Sequence, residues 1–237
     1  MPLRERFRHD GLRKLCLALI GVTWQLTSCA AEAPVQVPAP TTDNPKVAGP
    51  LQVAVLSGGC FWGVQGVYEH VRGIEKVLAG YAGGEQSTAH YDIVSSGATG
   101  HAESVQITFD PAKVSYGEIL RIFFSVVHDP TQLNRQGPDI GSQYRSAIEF
   151  ADETQRHIAL DYIAQLDKAG VFHHPIVTRV DPLKAFYPAE AYHQDYLLRY
   201  PANPYIAIND LPKIAALKEL FPDYFNGRPV RVAASGF

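Results

Sequence analysis

Charged residues are sparse in this 237-residue sequence, at 19% of the total, and the formal net charge is only −3. Lysine and arginine are scattered rather than clustered, which excludes an extended basic surface for nucleic acid. Internal repeats and a glycine-rich phosphate loop are absent from the sequence. His173 and His174 precede Pro175 without a suitably spaced cysteine or carboxylate, so we expect no metal site. These absences leave a small molecule or another protein as the expected substrate.

Residues 1–28 are expected to be a signal peptide rather than part of the fold. Basic residues dominate residues 1–14, and residues 15–26 (LCLALIGVTWQL) are mostly apolar but too short to cross a bilayer comfortably. The run ends in LTSC at residues 26–29, which resembles the bacterial lipobox, whose cysteine is lipidated. A chance cysteine in an ordinary signal or signal anchor is the alternative. With lipidation at Cys29, we expect a protein of the bacterial cell envelope that is lipid-anchored to a membrane and faces the periplasm.

Residues 29–50 are rich in proline and alanine and show no apolar periodicity, which predicts an extended tether. The remaining residues, 51–237, are expected to form a single domain. Cysteine is scarce, with three in the whole chain. Because Cys16 leaves with the signal and Cys29 carries the lipid, Cys60 becomes the one thiol of the mature chain, which excludes an internal disulfide.

Apolar periodicity predicts strands and helices that alternate along the domain. Strands are expected over residues 51–56, 74–81, 103–109 and 144–150. Helices are expected over residues 60–71, after the capping box that begins at Ser115, and from Asp152 towards Gly170. This alternation predicts one α/β or α+β domain with helices packed on a mixed sheet.

The stretch SGGCFWG, residues 57–63, places Cys60 between a glycine turn and the start of a helix. Unpaired amides at a helix N-terminus favour a thiolate, so the position suits a reactive cysteine. A buried and inert cysteine fits the local pattern equally well. Phe61 and Trp62 could hold a methyl or thioether group, although either ring could also simply pack in the core.

Five motifs in the same order resemble the peptide methionine sulfoxide reductase A family: GCFWG (59–63), AGYAGG (79–84), TGHAESV (99–105), HDPTQLNRQGPDIGSQYRS (128–146) and AEAYHQDYL (189–197). The resemblance extends over residues 53–224. It implies an α+β two-layer sandwich with a mixed sheet and a ferredoxin-like core. It also implies reduction of the S epimer of methionine sulfoxide, free or in oxidised proteins, with no metal or organic cofactor. The reductant would be a thioredoxin-like protein or a small thiol, and we expect a monomer.

The resemblance also assigns roles to individual residues. Cys60 is implied to be the nucleophile and Glu103 the acid that protonates the sulfoxide oxygen. Such an acid needs a pKa raised by an apolar site, whereas an ordinary glutamate in an alternating strand would lie on the surface. The implied binding residues are Tyr81 and Tyr144 for the oxygen, Phe61 and Trp62 for the methyl group, Asp139 for the substrate amide, and His193, which lines the site. The tyrosines could equally pack in the core or at its rim, and His193 could be a hydrogen-bonded structural histidine.

The C-terminal tail departs from part of the family, because residues 200–237 contain no cysteine. Many relatives carry resolving cysteines there, so this chain is expected to depend on an external thiol. Two other functions compete with the reductase hypothesis. A thiol peroxidase would also form a sulfenic acid but would not need the Phe61–Trp62 pair, and a non-enzymatic surface lipoprotein would leave Cys60 inert.

Overall fold

The computed structural model describes residues 34–232, and every structural statement below concerns that part of the chain. The expected signal peptide and the lipidation site at Cys29 lie outside the described residues. Within residues 34–232, no helix is long and apolar enough to cross a membrane.

Short strands and helices alternate along the described chain. In chain order they are β1 (Gln52–Gly58), α1 (Phe61–Glu69), β2 (Ile74–Ala82), α2 (Tyr91–Val94), β3 (Ala102–Phe109), α3 (Tyr116–Ile122), β4 (Arg135–Gln136), β5 (Asp139–Ile140), β6 (Ser146–Phe150), α4 (Glu153–Ala169), β7 (Arg179–Pro182), β8 (Phe186–Pro188), α5 (Tyr196–Arg199) and α6 (Leu211–Leu220). Two π-helical turns, Phe123–Val127 and Ile206–Asp210, follow α3 and precede α6.

The main sheet of the described residues has six strands in the order β7-β6-β1-β3-β2-β8. Its neighbours are antiparallel except β6 and β7, which are parallel, so the sheet is mixed. The inner order β6-β1-β3-β2, with α1 linking β1 to β2 and α3 lying between β3 and β6, is the ferredoxin-like arrangement. The predicted α+β class and ferredoxin-like core are therefore confirmed.

The predicted elements agree with the structure except at their ends. Ser115 forms both hydrogen bonds of its capping box, and Asp152 caps α4, which ends at a left-handed Gly170. The strand expected from Tyr144 begins only at Ser146. Tyr144 instead closes a 3-10 turn in which its amide donates to the carbonyl of Gly141 at 3.0 Å. The alternation of apolar and polar residues over 144–150 already begins within the turn, so it does not show at which residue strand pairing begins.

Helix α1 covers the central strands through a buried face that includes Val64, Val67 and Tyr68. These side chains lie against β1, β2 and β3, and the Tyr68 hydroxyl donates to the carbonyl of Ile119 in α3 at 2.9 Å. Burial of each such side chain stabilises the fold by about 1.5–3 kcal/mol. Both crossover helices are thereby fixed to each other and to the sheet.

The directions of the strands bring the candidate catalytic residues together at one end of the central strands. Strands β1 and β2 run in one direction, and β3 and β6 run in the other. Cys60 follows the end of β1, Glu103 lies at the start of β3, and Tyr144 precedes β6. Tyr81, near the end of β2, pairs directly with Glu103. Residues that are distant in sequence therefore lie close together at this end of the strands.

The described part of the expected tether is extended but is fixed to the domain. Val37 is fully buried, and the amides of Val35 and Val37 donate to the carbonyl and hydroxyl of Ser125 at 3.1 and 3.3 Å. The Asp43 carboxylate accepts from the amide of Gly117 at 2.8 Å, at the start of α3. We call residues 34–46 the N-terminal strap. Its composition predicts extension but does not reveal this docking.

Substitution of Val37 should measure how firmly the strap is held. We expect Val37→Ala to lower the free energy of unfolding by about 2 kcal/mol, because two buried methyl groups are lost. Val47→Ala, in which the valine is 57% exposed just beyond the strap, should change it by less than about 0.5 kcal/mol. Urea unfolding checks both values, and equal stability of the two variants would contradict a docked strap.

Candidate active site

Cys60 lies in a tight turn between β1 and α1 and is the N-cap residue of that helix. Gly59 before it has a φ of 93°, and a Cβ there would lie 2.7 Å from the Gln136 side chain. Only glycine fits this turn, for both backbone and steric reasons. Cys60 is 9% exposed and lines a cavity of about 570 Å³.

The thiol form of Cys60 is favoured over the thiolate. Burial raises the pKa of Cys60 well above its ordinary value, and the negative charges of Glu103 and Asp210 raise it further. The amide of Trp62 lowers the pKa, as expected of a helix N-terminus. One backbone amide does not offset the burial of the sulfur, so the expected effect of the helix is present but is outweighed.

The carboxyl of Glu103 is held directly beside the start of α1. Its Oε2 accepts a hydrogen bond from the amide of Phe61 at 3.0 Å, and the side chain is only 3% exposed. Burial raises the pKa of Glu103 to about 8, against the opposing effect of that amide, and the charges of Asp139 and Asp210 add to the increase. A carboxyl in this state is protonated at neutral pH and can donate a proton next to Cys60.

Aromatic rings form one wall of the site. Trp62 stacks on Tyr196 with ring centroids 3.9 Å apart, and its Nε1 donates to Nδ1 of His193 at 3.1 Å. The His193 ring lies 5.1 Å from the buried ring of Phe61, and burial lowers the pKa of His193. Neutral His193 therefore packs against Phe61 and fixes the orientation of Trp62, while its role in binding substrate stays a prediction.

The hydroxyl groups of the two tyrosines predicted to bind the sulfoxide oxygen lie in different surroundings. The Tyr81 hydroxyl donates to Oε2 of Glu190 at 2.8 Å, and its ring lies 5.9 Å from Phe61. Tyr144 is partly buried, and burial raises its pKa, followed by the charges of Glu103 and Asp139. Tyr144 thus faces the acidic part of the site, whereas the hydroxyl of Tyr81 is already committed to a carboxylate.

Asp139 lies on the opposite side of the cavity in the small hairpin of β4 and β5. Its Oδ2 accepts a hydrogen bond from the hydroxyl of Tyr205. Burial raises the pKa of Asp139, although Tyr205 and the positive charge of Lys213 oppose the increase. Lys213 in turn donates to the fully buried Asp210 at 3.1 Å. Asp139 therefore has a fixed orientation at the cavity wall.

Sequence reasoning missed a further set of residues around Cys60: Tyr91, Glu190, Tyr205, Asp210 and Lys213. The amide of Tyr91 donates to Glu190 at 3.0 Å, and Glu190 belongs to the AEAYHQDYL motif, which was a usable signal. Tyr205 and Asp210 flank or lie in the second π-helical turn. Apolar periodicity does not reveal a π-helical turn, and such turns are frequent at functional sites.

Within residues 34–232, no group of three or more His, Cys, Asp or Glu side chains is placed to hold a metal ion. The elements that are present are a buried thiol, a neighbouring carboxyl whose pKa burial raises to about 8, an aromatic wall, and a cavity that Cys60 and Asp139 line. Together with the α+β fold, this combination is typical of enzymes that use a cysteine and a general acid.

Comparisons with known proteins specify the family. The model of the family "Peptide methionine sulfoxide reductase" matches residues 52–224. A reductase named MsrA 2 from Mesorhizobium japonicum is 55% identical over 190 residues, which is 80% of this chain and 97% of that protein. A protein of the same name from Synechocystis is 50% identical over 79% of this chain and 89% of its own length. The chain therefore belongs to the peptide methionine sulfoxide reductase family.

Solved structures agree with this assignment. Reduced Mxr1 from Saccharomyces cerevisiae matches with a TM-score of 0.58 and 32% identity, over 69% of this chain and 92% of that one. Methionine sulfoxide reductase A of Corynebacterium diphtheriae matches with a TM-score of 0.56 and 31% identity, over 72% and 89%. The N-terminal strap precedes the region that matches the family model.

The buried carboxyl of Glu103 should be visible in the pH dependence of stability. The pKa of Glu103 is about 8 in the folded protein, against an ordinary value of 4.5. The protonated carboxyl therefore stabilises the fold fully below about pH 4.5, and this stabilisation is lost as the pH rises through 8. Glu103→Gln should therefore gain stability relative to the wild type between about pH 5 and 8, by at most about 1.4 kcal/mol per pH unit. Urea unfolding at a series of pH values measures this difference.

Glu153→Gln is the control for this series, because the Glu153 side chain is 80% exposed. It should show no comparable trend. A difference between Glu103→Gln and the wild type that stays constant from pH 5 to 8 would mean that Glu103 titrates at its ordinary pKa.

Proposed function

We propose that the protein reduces the S epimer of methionine sulfoxide, free or in oxidised proteins, to methionine at Cys60, and so repairs oxidative damage. The observation that carries the proposal is the buried Glu103 carboxyl, whose Oε2 accepts from the Phe61 amide at 3.0 Å directly after Cys60 in the chain. Burial raises the pKa of this carboxyl to about 8, which favours its acid form at neutral pH. Sulfoxide reduction by a thiol needs one nucleophile and one acid at the oxygen, and these two groups supply them.

The proposed reaction needs no proton from outside the site. Cys60 Sγ attacks the substrate sulfur while Glu103 protonates its oxygen, and the thiol proton of Cys60 replaces the one that Glu103 gives up. The attack forms an S–S bond between Cys60 and the substrate sulfur; this bond and the S–O bond of the substrate then break, and the oxygen becomes bonded to the Cys60 sulfur. The substrate sulfur gains two electrons and the Cys60 sulfur loses them, so a thiol and a sulfoxide become a sulfenic acid and a thioether.

The walls of the site support the binding of the sulfoxide group. Trp62 offers an apolar surface for the methyl group, with the buried ring of Phe61 behind it at 6.5 Å between ring centroids. Asp139, which lines a cavity together with Cys60, offers an acceptor for the substrate's main-chain N–H. Tyr144 lies on the Glu103 side and supplies a phenolic donor for the oxygen. Tyr81 can serve the same oxygen only by exchanging its hydrogen bond to Glu190.

Recycling of Cys60 requires two thiols from outside the domain. Cys60 is the free cysteine of residues 34–232, and residues 200–237 contain no cysteine. The first thiol condenses with the sulfenic acid to give a mixed disulfide and water, and the second releases Cys60 as a thiol. We propose a thioredoxin-like protein or a small thiol as the donor.

We also propose that Cys29 is lipidated and anchors the protein to a membrane of the bacterial cell envelope, facing the periplasm. The lipobox-like LTSC sequence supports this location. Because the strap is docked from residue 34, only residues 29–33 would separate the lipid from the folded domain. We also propose that the protein acts as a monomer.

Replacement of Cys60 tests the proposed function. Cys60→Ser should abolish turnover of the S epimer, because a hydroxyl is a far weaker nucleophile near neutral pH. The assay measures methionine formed from the S and R epimers with dithiothreitol as the donor, and hydrogen peroxide consumption in parallel. Turnover of peroxide in place of the S epimer, or more than trace S-epimer activity in Cys60→Ser, would refute the proposal.

Glu103→Gln should slow the first chemical step by about two to four orders of magnitude, because the amide keeps the shape of the side chain but cannot act as the acid. Single-turnover release of methionine isolates this step from recycling. An unchanged single-turnover rate would mean that another group supplies the proton.

Cys29→Ala should move the protein from the membrane fraction to the soluble fraction of the expressing bacterium. Both proteins should still release one methionine per chain in the absence of reductant and leave a sulfenic acid on Cys60 that a dimedone reagent traps. If the wild type instead forms a disulfide between Cys29 and Cys60, the cysteine is not lipidated and acts as the resolving residue.

A further inference from the structure

The catalytic cavity extends well beyond the residues that the proposed reaction uses. Its lining runs from Cys60 and Asp139 to Pro34 and Val35 of the N-terminal strap. Its volume of about 570 Å³ is within the range of pockets that enclose whole ligands. The strap precedes residues 52–224, which match the family model, so this part of the wall comes from outside the matched domain.

Part of the cavity wall is apolar. Pro34 and Val35 line the cavity together with Val171 and Phe172, which follow α4 and pack on the hydrophobic core. Val35 is 36% exposed, while its amide is fixed to the carbonyl of Ser125 at 3.1 Å. The side chain of Val35 is therefore available to a ligand, although its backbone is held in place.

Further apolar side chains neighbour the lining residues in sequence. Leu133 is 67% exposed two residues before Arg135, and Ile140 is 73% exposed directly after Asp139. Both belong to the hairpin region that carries Asp139, the acceptor proposed for the substrate's main-chain N–H. A polypeptide held at Asp139 would thus continue along an apolar surface in either direction.

We propose that the strap and the loop after α4 form a subsite for an apolar side chain of the polypeptide that flanks the oxidised methionine. The inference rests on the proposed function, because it places methionine sulfoxide at Cys60. Continuity of the cavity carries the inference, because Cys60, Asp139 and Val35 line the same cavity. Successive residues of an extended chain advance by about 3.3–3.6 Å, so the neighbours of a methionine bound at Cys60 would extend along this cavity. The free amino acid has no such neighbours.

Three substrates test this subsite in the full mature protein: free methionine S-sulfoxide, and two pentapeptides with a central methionine S-sulfoxide flanked by leucines or by serines. The kcat/KM of the wild type should be about tenfold higher for the leucine-flanked peptide than for the serine-flanked one. The difference should lie in KM, because binding removes a leucine side chain from water. Val35→Asp should bring the ratio of the two peptides close to one, and Val35→Ser should lower it less. Val47→Asp, at an exposed valine outside the cavity, should keep the wild-type ratio.

The outcomes separate the subsite from the reaction itself. A wild-type enzyme that turns over the free sulfoxide but treats both peptides alike overturns the subsite and leaves the proposed function standing. An unchanged ratio in Val35→Asp overturns it as well. A wild-type enzyme that turns over none of the three substrates refutes the proposed function instead. Circular dichroism melting of each variant ensures that a changed ratio is measured on folded protein.

Discussion

The active site depends on the burial of one carboxyl group, Glu103, against the first amide of α1. Burial raises its pKa to about 8, and the hydrogen bond from the Phe61 amide holds it beside Cys60 despite that cost. The same burial raises the pKa of Cys60, so the site stores two protons at neutral pH. In the proposed reaction, one proton would go to the sulfoxide oxygen and the other would restore the acid. Exposure of this site to water would remove both effects at once.

Two π-helical turns enclose the segment that carries Cys60. A Cβ on Gly58 would lie 2.9 Å from Val127 at the end of the first turn. A Cβ on Gly63 would lie 2.0 Å from Oδ1 of Asp210 at the end of the second. The glycines of SGGCFWG therefore serve close packing as well as the turn at Gly59. Packing on both sides fixes the sulfur relative to Glu103, which is what a short-range proton transfer requires.

Periodicity and capping signals predicted the central strands and long helices because those elements bury one regular face. The ends of the elements and the weakly periodic segments were harder to predict from the sequence. Tyr144 lies in a turn where a strand was expected. The strap is docked on the domain, although its composition predicts only that it is extended. Within the site, the motifs singled out Cys60 and Glu103, which the fold brings close together, while their catalytic roles stay predictions. The local sequence shows the helix N-terminus that favours a thiolate but not the depth of burial that opposes it. Tyr205 was missed because its stretch was assessed only for its lack of cysteine.

A thiol that is protonated before the reaction suits an enzyme with one cysteine in its domain. A permanently exposed thiolate would meet every oxidant in its surroundings, whereas a buried thiol becomes nucleophilic only when a group at the site accepts its proton. In the proposed reaction the sulfoxide would provide this condition, because its oxygen takes the proton of Glu103 and leaves a carboxylate to receive the one from Cys60. Burial of the sulfur also restricts the second half of the proposed cycle, because the reductant must reach a Cys60 that is only 9% exposed. The cavity that Cys60 lines has a volume of about 570 Å³, which offers room for a small thiol as well as for substrate.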